Sequence, residues 1–332
     1  MEDVYSEYDG KTILVTGGAG AIGGNLCRKL CELNAKKVII LDDLSSSYKW
    51  NIPPSKNIMF VKGSILDDEM LKRVFKEKPE YVFHLAAHFA NQNSVDNPEI
   101  DLMVNGMGIL KVLEYSQLVG LKRFVYSSSG CGVYGLDSKM PFEEHNTSVS
   151  LHTPYQVTKL IGELYTNYFR NLYGLPITNA RFFNVFGPGE VPGRYRNVIP
   201  NFFYWAMNGQ ALPITGDGTE TRDWTYVDDI VDGLLRMGIR EEAIGEAINL
   251  GSGKENRVID MANMVNDLTG NNAGVNFIER RNWDVKCRLL SSIEKARQLL
   301  GYEPKTNFED GLKKVCAWFF DDWDMIKESA EI

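Results

Sequence analysis

The segment that most constrains the fold is an apolar, β-branched run that breaks into glycines. It reads Thr12-Ile-Leu-Val-Thr-Gly-Gly-Ala-Gly-Ala-Ile-Gly23, and a helix is predicted to follow at Asn25–Leu33. A strand that ends in glycines and continues as a helix presents free backbone N–H groups at the positive end of that helix. The segment therefore predicts a pyrophosphate site, formed by Gly17, Gly20, Ala21, Ile22 and Gly23.

A second predicted strand ends in acidic residues, about 20 positions after the glycines. Lys37-Val-Ile-Ile-Leu41 is followed by Asp42 and Asp43. A dinucleotide-binding fold needs an acid at this place for the hydroxyls of the adenosine ribose. Because two acids would repel a 2′-phosphate and no arginine follows nearby, we expect NAD rather than NADP.

The amino-acid composition argues against several other classes of protein. The chain has 332 residues, which suits one large or two modest domains, and its net charge of −8 disfavours binding to nucleic acids or membrane surfaces. The acidic N-terminus lacks the regions of a signal peptide, and no apolar run approaches the roughly 18 residues that span a bilayer. The five cysteines have no zinc-type spacing, so we expect a cytoplasmic, reduced chain without a metal site.

Strand and helix patterns alternate from the glycine segment to about residue 182. Four further apolar runs are predicted as strands, at 58–61, 81–85, 123–126 and 177–182. Helical patterns lie between them, at 68–76, 100–118 and 154–173. This alternation is typical of the α/β class, with a Rossmann-type doubly wound parallel sheet that binds ligands at the carboxyl ends of its strands.

From Asn184 onward the sequence is rich in glycine, proline and aromatic residues. We expect a smaller α/β substrate-binding domain here, formed by residues 184–223 and 251–320. The NAD-binding domain is expected at residues 10–183, with a returning segment at about 224–250 that contributes a strand at Ala247–Leu250.

The segment Thr153-Pro-Tyr-Gln-Val-Thr-Lys159 predicts the start of a helix with a chemical role. Thr153 suits the N-cap, Pro154 the first helical position, and Gln156 would complete a capping box. Tyr155 and Lys159 then stand four residues apart on one helical face. A tyrosine with an ordinary pKa of about 10 can act as a base near neutral pH only if that pKa is lowered, and an adjacent ammonium and the helix N-terminus both act in that direction. The same spacing also occurs on ordinary surface helices.

The segment Ser127-Ser-Ser-Gly-Cys-Gly-Val-Tyr-Gly135 follows the fifth predicted strand, where the nicotinamide should end. A serine there can donate a hydrogen bond to a substrate oxygen while Tyr155 handles the proton. Ser127 and Ser128 are better explained as residues of a turn.

These motifs occur in a fixed order along the chain. They are Gly17-x-x-Gly20-x-x-Gly23, His84-Leu-Ala-Ala87, the serine-rich strand end, Tyr155-x-x-x-Lys159 and Arg181-Phe-Phe-Asn-Val-Phe-Gly-Pro188. The ordered set covers about residues 10–315 and resembles the extended short-chain dehydrogenase/reductases, in particular the NAD-dependent nucleotide-sugar epimerase/dehydratase family of UDP-glucose 4-epimerase-like proteins. The resemblance implies bound NAD and a nucleoside-diphosphate sugar as the substrate.

By matching position, the resemblance implies catalytic roles for Ser129, Tyr155 and Lys159. It implies cofactor contacts from residues at strand ends and on nearby helices, namely Ser64, Ile65, Leu85, Ala86, Ala87, Asn105, Tyr155 and Lys159. It implies substrate contacts from Ser129, Asn184, Asn197, Val198, Arg222, Arg281 and Asp284. Arginine suits a diphosphate because it binds oxyanions bidentately, although a surface salt bridge would explain any single one of these arginines.

Three departures from the family pattern matter. Ser64 replaces a carboxylate expected near the adenine amine, and Thr215 replaces an aromatic residue that often stacks on uracil. The serine segment is one residue longer than usual, so Ser129 is matched from the strand, whereas counting back from Val133 would match Gly130. We prefer the match of Ser129, counted from the strand, because glycine has no hydroxyl.

The reaction that the resemblance favours is 4-epimerisation through a transient 4-keto sugar. A 4,6-dehydratase of this family has an Asp-Glu pair where this chain has Gly130 and Cys131, so dehydration and decarboxylation are disfavoured. Cys131 coincides in spacing with an acid/base cysteine of 3,5-epimerase-like members, which leaves a 3,5- or 5-epimerase as an alternative. A catalytically silent NAD-binding sensor is the alternative of another class, but it would be expected to lack Tyr155 or Lys159.

The same helices predict a homodimer. The helix at 154–173 carries Leu160, Leu164, Tyr168 and Leu172 at helical spacing, and the helix at 100–118 lies beside it in the expected fold. Family members commonly pair these two helices into a four-helix bundle. The alternative is that this stripe of apolar and aromatic side chains packs only on the sheet of its own chain.

Overall fold

The computed structural model describes residues 5–135, 138–281, 283–284 and 286–332. Its strands, in chain order, are β1 Thr12–Thr16, β2 Lys37–Asp42, β3 Ile58–Lys62, β4 Tyr81–His84, β5 Arg123–Ser129, β6 Ile177–Phe182, β7 Val185–Phe186, β8 Leu212–Thr215, β9 Thr221–Arg222, β10 Thr225–Tyr226, β11 Ala247–Leu250, β12 Asn256–Arg257 and β13 Val275–Ile278.

Its α-helices are α1 Ala21–Glu32, α2 Asp68–Phe75, α3 Asn91–Asp96, α4 Pro98–Asp101, α5 Gly108–Ser116, α6 Gly130–Val133, α7 Pro154–Tyr173, α8 Val198–Met207, α9 Val227–Ile239, α10 Val258–Thr269, α11 Glu294–Leu300, α12 Phe308–Asp321 and α13 Trp323–Ser329. A π-helical turn, Leu102–Met107, joins α4 to α5. Short 3₁₀ helices lie at Ser6–Tyr8, Lys49–Asn51 and Glu241–Ala243. Among the described residues, no helix is both long and apolar enough to cross a membrane.

Seven strands form one parallel sheet in the order β11-β6-β5-β4-β1-β2-β3. The strand order reverses beside β1, since the chain runs outward to β3 and then crosses to β4. Such a switch point opens a crevice at the carboxyl ends of β1 and β4, where this class of fold binds its ligands. The predicted Rossmann-type parallel sheet is confirmed, and β11 pairs with β6 as the predicted returning strand.

Both faces of the sheet are covered, which explains why its strands read as continuous apolar runs. Val15 and Ile40 pack on one face with apolar residues of α1 and α9. Their chain neighbours Leu14 and Ile39 point to the opposite face and pack with α2, α5 and α7. The carboxyl ends of the strands are therefore held by a rigid, two-sided core.

A separate hydrophobic cluster lies in the second half of the chain. It is formed mainly by residues of α8, α10 and α12, with Phe202, Met261 and Phe319 fully or almost fully buried. The parallel pair β8 and β13 adds Ile214 and Val275 to this cluster. The limits of the two expected domains stay a prediction.

Two helices differ from their sequence-based predictions. The helix expected at 100–118 is divided into α4, the π-helical turn and α5, because a π-helical turn inserts a residue that a 3.6-residue period does not reveal. Helix α1 begins at Ala21 rather than Asn25, although glycine disfavours helix. Close packing explains why a glycine stands at position 23 of this helix, since a Cβ there would lie 2.2 Å from the Gly17 carbonyl oxygen.

Candidate active site

The glycine loop brings β1, α1 and the end of β4 into close contact. Gly17 has a φ of 71°, and a Cβ on it would lie 2.7 Å from the backbone nitrogen of Ala86. Within the described part of the chain, no side chain caps the N-terminus of α1 at Gly20, so the first-turn N–H groups of Ala21 and Ile22 are free of a capping side chain. A helix end of this kind fits a pyrophosphate, because its N–H groups and its dipole both favour an anion.

Asp42 lies beside this loop at the end of β2 and is buried. Its carboxylate accepts hydrogen bonds from the backbone nitrogens of Ala19 and Leu44, at 2.9 Å each, and from Ser47 Oγ at 2.7 Å. Asp43 is exposed, and its carboxylate accepts a hydrogen bond from Ser45 N. Asp42 is therefore the acid that the fold fixes beside the glycine loop.

The other expected cofactor residues follow the ends of β3 and β4. Ser64 Oγ accepts a hydrogen bond from Leu66 N, and Ile65 is buried against Gly108 of α5. Leu85, Ala86 and Ala87 follow β4 and so lie at the crevice beside β1, which fits their expected role.

Asn105 lies in the π-helical turn, and its side chain is engaged within the protein. Asn105 Nδ2 donates to Asp101, to the His88 carbonyl and to Thr158, while its Oδ1 accepts from His88 N. Its expected contact with the cofactor stays a prediction.

The N-terminus of α7 is held by three side chains. Thr153 Oγ1 accepts from Gln156 N as predicted, and Pro154 occupies the first turn. The capping-box prediction is wrong in one respect, since Gln156 Oε1 accepts from His152 N at 2.7 Å, one residue earlier than a capping box requires. Ser94 Oγ of α3 accepts from Tyr155 N at 3.0 Å, which fixes the first turn of α7 beside the crevice.

Ser129, Tyr155 and Lys159 meet at the carboxyl end of β5. The side chain of Ser129 lies near enough to the Tyr155 phenol to lower its pKa. Lys159 Nζ lies 5.6 Å from the centre of the Tyr155 ring and donates a hydrogen bond to the Ser127 carbonyl at 2.8 Å. This geometry supports the match of Ser129 from the strand, because the hydroxyl of Ser129 reaches the Tyr155 side chain.

Burial has the largest effect on the pKa values of Lys159 and Tyr155. It lowers the pKa of Lys159 to about 8, although the nearby Asp101 carboxylate acts in the opposite direction. Burial also raises the pKa of Tyr155, the nearby Cys131 and Asp101 side chains add to the rise, and the Ser129 side chain opposes it. The expectation that residues of the chain lower the pKa of Tyr155 is therefore wrong for the protein alone, because burial outweighs them.

The expected substrate residues form two groups. Asn197 is the N-cap of α8 and Val198 its first residue, and Asn197 Nδ2 donates to Glu190 Oε1 at 2.8 Å.

The second group contains two arginines. Arg222 forms an ion pair with Asp284 at 3.5 Å. Arg281 is exposed and lies in the same turn as Asp284, whose backbone nitrogen donates to the Arg281 carbonyl. Asn184 lies between β6 and β7, and its Oδ1 accepts from Cys131 Sγ at 3.5 Å.

The structure adds functional candidates that the sequence did not reveal. Asp101 is fully buried next to the catalytic helix, and Glu190 is buried beneath Asn197. Burial raises the pKa of Glu190 to about 7. Neither residue belongs to a motif, and an acidic residue on a four-residue helix or in a proline-rich loop gives no periodic signal.

The fold and this constellation define a dinucleotide-dependent enzyme in which a tyrosine and a lysine adjoin the cofactor crevice. Residues 13–251 match the sequence pattern of the NAD dependent epimerase/dehydratase family, and the chain belongs to this family. The predicted family, the NAD cofactor and the epimerase-type enzyme class are thereby confirmed.

Curated and solved relatives cover nearly the whole chain. A UDP-glucose 4-epimerase from Mycolicibacterium smegmatis is 34% identical over 309 residues, which cover 92% of this chain and 97% of that protein. The structure of an epimerase from Methanothermobacter thermautotrophicus has 72% identity and a TM-score of 0.99, covering 99% of this chain and 98% of that one. A UDP-glucose 4-epimerase from Thermotoga maritima, crystallised with UDP-glucose, has 36% identity and a TM-score of 0.89, covering 94% and 99%.

Proposed function

We propose that this protein is an NAD-dependent nucleotide-sugar 4-epimerase that acts on UDP-sugars. The observation that carries the proposal is the grouping of Ser129, Tyr155 and Lys159 at the carboxyl end of β5, two strands from β1 and its glycine loop. The names of the relatives from Mycolicibacterium smegmatis and Thermotoga maritima support the same substrate class.

The residues of the chain have distinct roles in this proposal. Ser129 donates a hydrogen bond to O4 of the sugar, and Tyr155 accepts the O4 proton as C4 is oxidised. NAD, when bound in the crevice, would supply the hydride chemistry at C4, and its positive ring would favour the ionised form of Tyr155. Inversion then requires only that the 4-keto sugar turns within the site before C4 is reduced, so no second acid or base is needed.

The residues after Ser129 argue against the competing reactions. Gly130 and Cys131 carry no carboxylic acid, so the elimination of water from C5 and C6 has no acid at the usual position. Burial raises the pKa of Cys131 to about 11, which leaves little thiolate at neutral pH for a 3,5- or 5-epimerase. A silent NAD sensor is disfavoured because Tyr155 and Lys159 are both present and placed together.

The nucleotide is proposed to lie between α8 and the pair Arg222–Asp284. The N-terminus of α8 has no side-chain cap among the described residues, so its N–H groups suit a phosphate of the substrate. Arg222 is only 14% exposed and already oriented by Asp284 and by the Thr221 carbonyl, which favours fixed contacts to a diphosphate. Arg281 and Asn184 complete the proposed substrate contacts.

The protein is further proposed to be a homodimer through α7 and the helical segment predicted at 100–118, which comprises the end of α4, the π-helical turn and α5. Leu164 and Leu172 of α7 are each 60% exposed, and Tyr168 between them is 48% exposed. The neighbouring helix exposes Ile100, Leu102, Met103 and Met107. Leu160, which was predicted in the same stripe, packs instead against a buried cluster that includes Val133 and Tyr134. A continuous apolar face of this kind suits a second copy of the chain.

The proposed reaction is tested by incubating the purified protein with UDP-glucose, UDP-galactose, UDP-glucuronate and UDP-N-acetylglucosamine. NMR of the products reads the configuration at C4 and C5. Inversion at C4 alone is expected for at least one of these sugars. Loss of water or inversion at C5 would replace the proposal with one of its alternatives, and no change in any sugar would favour the silent sensor.

A further inference from the structure

Asp101 is a buried carboxylate beside the catalytic helix. Its side chain is 0% exposed. Its Oδ2 accepts a hydrogen bond from Thr158 Oγ1 at 2.6 Å, and its Oδ1 accepts one from Asn105 Nδ2 at 2.8 Å. Thr158 immediately precedes Lys159 on α7, so Asp101 of α4 holds the turn of α7 that carries the catalytic lysine.

The same network reaches the cofactor end of β4. Asn105 Nδ2 donates to the His88 carbonyl at 3.0 Å, and Asn105 Oδ1 accepts from His88 N at 2.8 Å. The π-helical turn between α4 and α5 contains Asn105 and follows Asp101 directly. The carboxylate is therefore fixed by groups from two helices, which are tied in turn to the loop after β4.

The charge of Asp101 matters because Lys159 is buried. Lys159 is only 3% exposed, and Nζ donates to a neutral group, the Ser127 carbonyl. A buried ammonium is costly unless a negative charge compensates it, and the Asp101 carboxylate acts on the pKa of Lys159 in the direction that keeps the ammonium charged.

Other titratable groups also face Asp101. His88 Nδ1 lies 3.7 Å from its Oδ1, and the phenols of Tyr126 on β5 and Tyr155 on α7 feel its charge.

We propose that Asp101 is a positioning residue, which holds Lys159 in place through Thr158 and supplies the counter-charge of the buried ammonium. The kinetic part of this inference rests on the proposed epimerase function. The structural part concerns residues of the chain alone.

The charge is tested with Asp101→Asn, and Glu99→Gln is the matched control because it removes one exposed charge from the same helix. Lysine labelled with ¹³C at Cε reports the titration of Lys159 by NMR, and the signal is assigned by its loss in Lys159→Arg. In Asp101→Asn the titration midpoint should move to lower pH by about one unit, and the alkaline limb of kcat should move with it. Glu99→Gln should move neither, and an unchanged Lys159 midpoint in Asp101→Asn would overturn the proposal.

A second pair of variants tests the hydrogen bond and does not depend on Asp101→Asn folding. Thr158→Val removes the donor to Asp101, and kcat should fall about tenfold or more with KM little changed, because Lys159 is misplaced. Thr158→Ser keeps the hydroxyl and should retain most of the wild-type kcat. Wild-type kcat in Thr158→Val would contradict the positioning role. If the wild-type protein turns over no UDP-sugar, the proposed function fails, while the NMR titration still decides the role of Asp101.

Discussion

Lys159 Nζ donates a hydrogen bond to the Ser127 carbonyl at 2.8 Å, which places a buried ammonium beneath the end of the strand that carries Ser129. The strand β5 thus contributes both an anchor for the catalytic lysine and the hydroxyl that contacts Tyr155. Because this anchor is a backbone group, the position of the Lys159 ammonium depends on the register of β5 as well as on the hydrogen bond between Thr158 and Asp101.

Replacing Tyr155 with Phe should abolish turnover and leave folding and NAD content nearly unchanged. Only the oxygen that accepts the O4 proton is removed, and general acid–base groups contribute about 10²–10⁴-fold to rate. Tyr168→Phe is the matched control, since Tyr168 is on the same helix and 48% exposed. A Tyr155→Phe variant that kept more than about a tenth of the wild-type kcat, equivalent to only ~1.4 kcal/mol of barrier, would show that Tyr155 is not the base.

The sequence predicted those parts of the protein that depend on local patterns. The bounds of α7, β6 and β11 agree with the predictions, because each has clear limits in capping, turn or apolar residues. The four-residue spacing of Tyr155 and Lys159 predicted that both lie on one helical face without tertiary information, and the resemblance to the family implied their catalytic roles.

The parts that the sequence did not reveal are contacts between distant residues. Thr158 and Asp101 are 57 positions apart, and their hydrogen bond depends on how α4 and the π-helical turn pack on α7. The rise in the pKa of Tyr155 was also missed, because burial is a property of the folded chain and not of the i, i+4 spacing.

Asp42→Ala should weaken NAD binding, whereas Asp43→Ala should have a much smaller effect. Asp42 is fixed beside the glycine loop and Asp43 is exposed. A hydrogen bond to a charged acceptor contributes about 1.5–3 kcal/mol, so affinity should fall by roughly ten- to a hundredfold. Calorimetric titration of protein freed of cofactor measures both variants, and equal losses for Asp42→Ala and Asp43→Ala would count against the ribose assignment of Asp42.

Glu190→Gln should stabilise the protein above neutral pH. Burial raises the pKa of Glu190 to about 7, from an ordinary value of 4.5, so the folded state binds its proton more tightly than the unfolded state. Ionisation of Glu190 therefore lowers the free energy of unfolding by about 3 kcal/mol as the pH rises from about 4.5 to about 7. The Gln variant lacks this loss and keeps an oxygen to accept from Asn197.

Urea unfolding of Glu190→Gln at pH 5 and pH 8 checks this expectation, with the exposed Glu99→Gln as the control. The variant should gain stability over the wild-type protein at pH 8 and differ little at pH 5. A gain of the same size at both pH values would mean that Glu190 does not titrate in this range.

The double substitution Leu164→Glu with Leu172→Glu should convert the proposed dimer into a monomer. Both leucines are more than half exposed on α7, so two charges there would be buried unpaired in the dimer and leave the isolated chain little affected. Phe277→Glu is the control, because Phe277 is similarly exposed but lies on β13. Light scattering at micromolar concentration measures the mass, and a monomeric wild-type protein would refute the dimer.

Cys131→Ala distinguishes two kinds of epimerase. If the protein is a 4-epimerase, only C4 is oxidised and reduced, so the variant should keep substantial activity and no solvent deuterium should enter the carbon positions of the sugar. The rise in the pKa of the Cys131 thiol to about 11 favours this outcome, since a protonated thiol is a poor base at neutral pH. Cys316→Ala, on α12 outside the site, is the control for the loss of a cysteine sulfur, and Cys316 is buried. An acid/base role for Cys131 would instead cost about 10²–10⁴-fold in rate and place deuterium at C3 or C5. An inactive Cys131→Ala together with wild-type product that carries deuterium at C5 would overturn the 4-epimerase proposal and assign proton transfer at carbon to this cysteine.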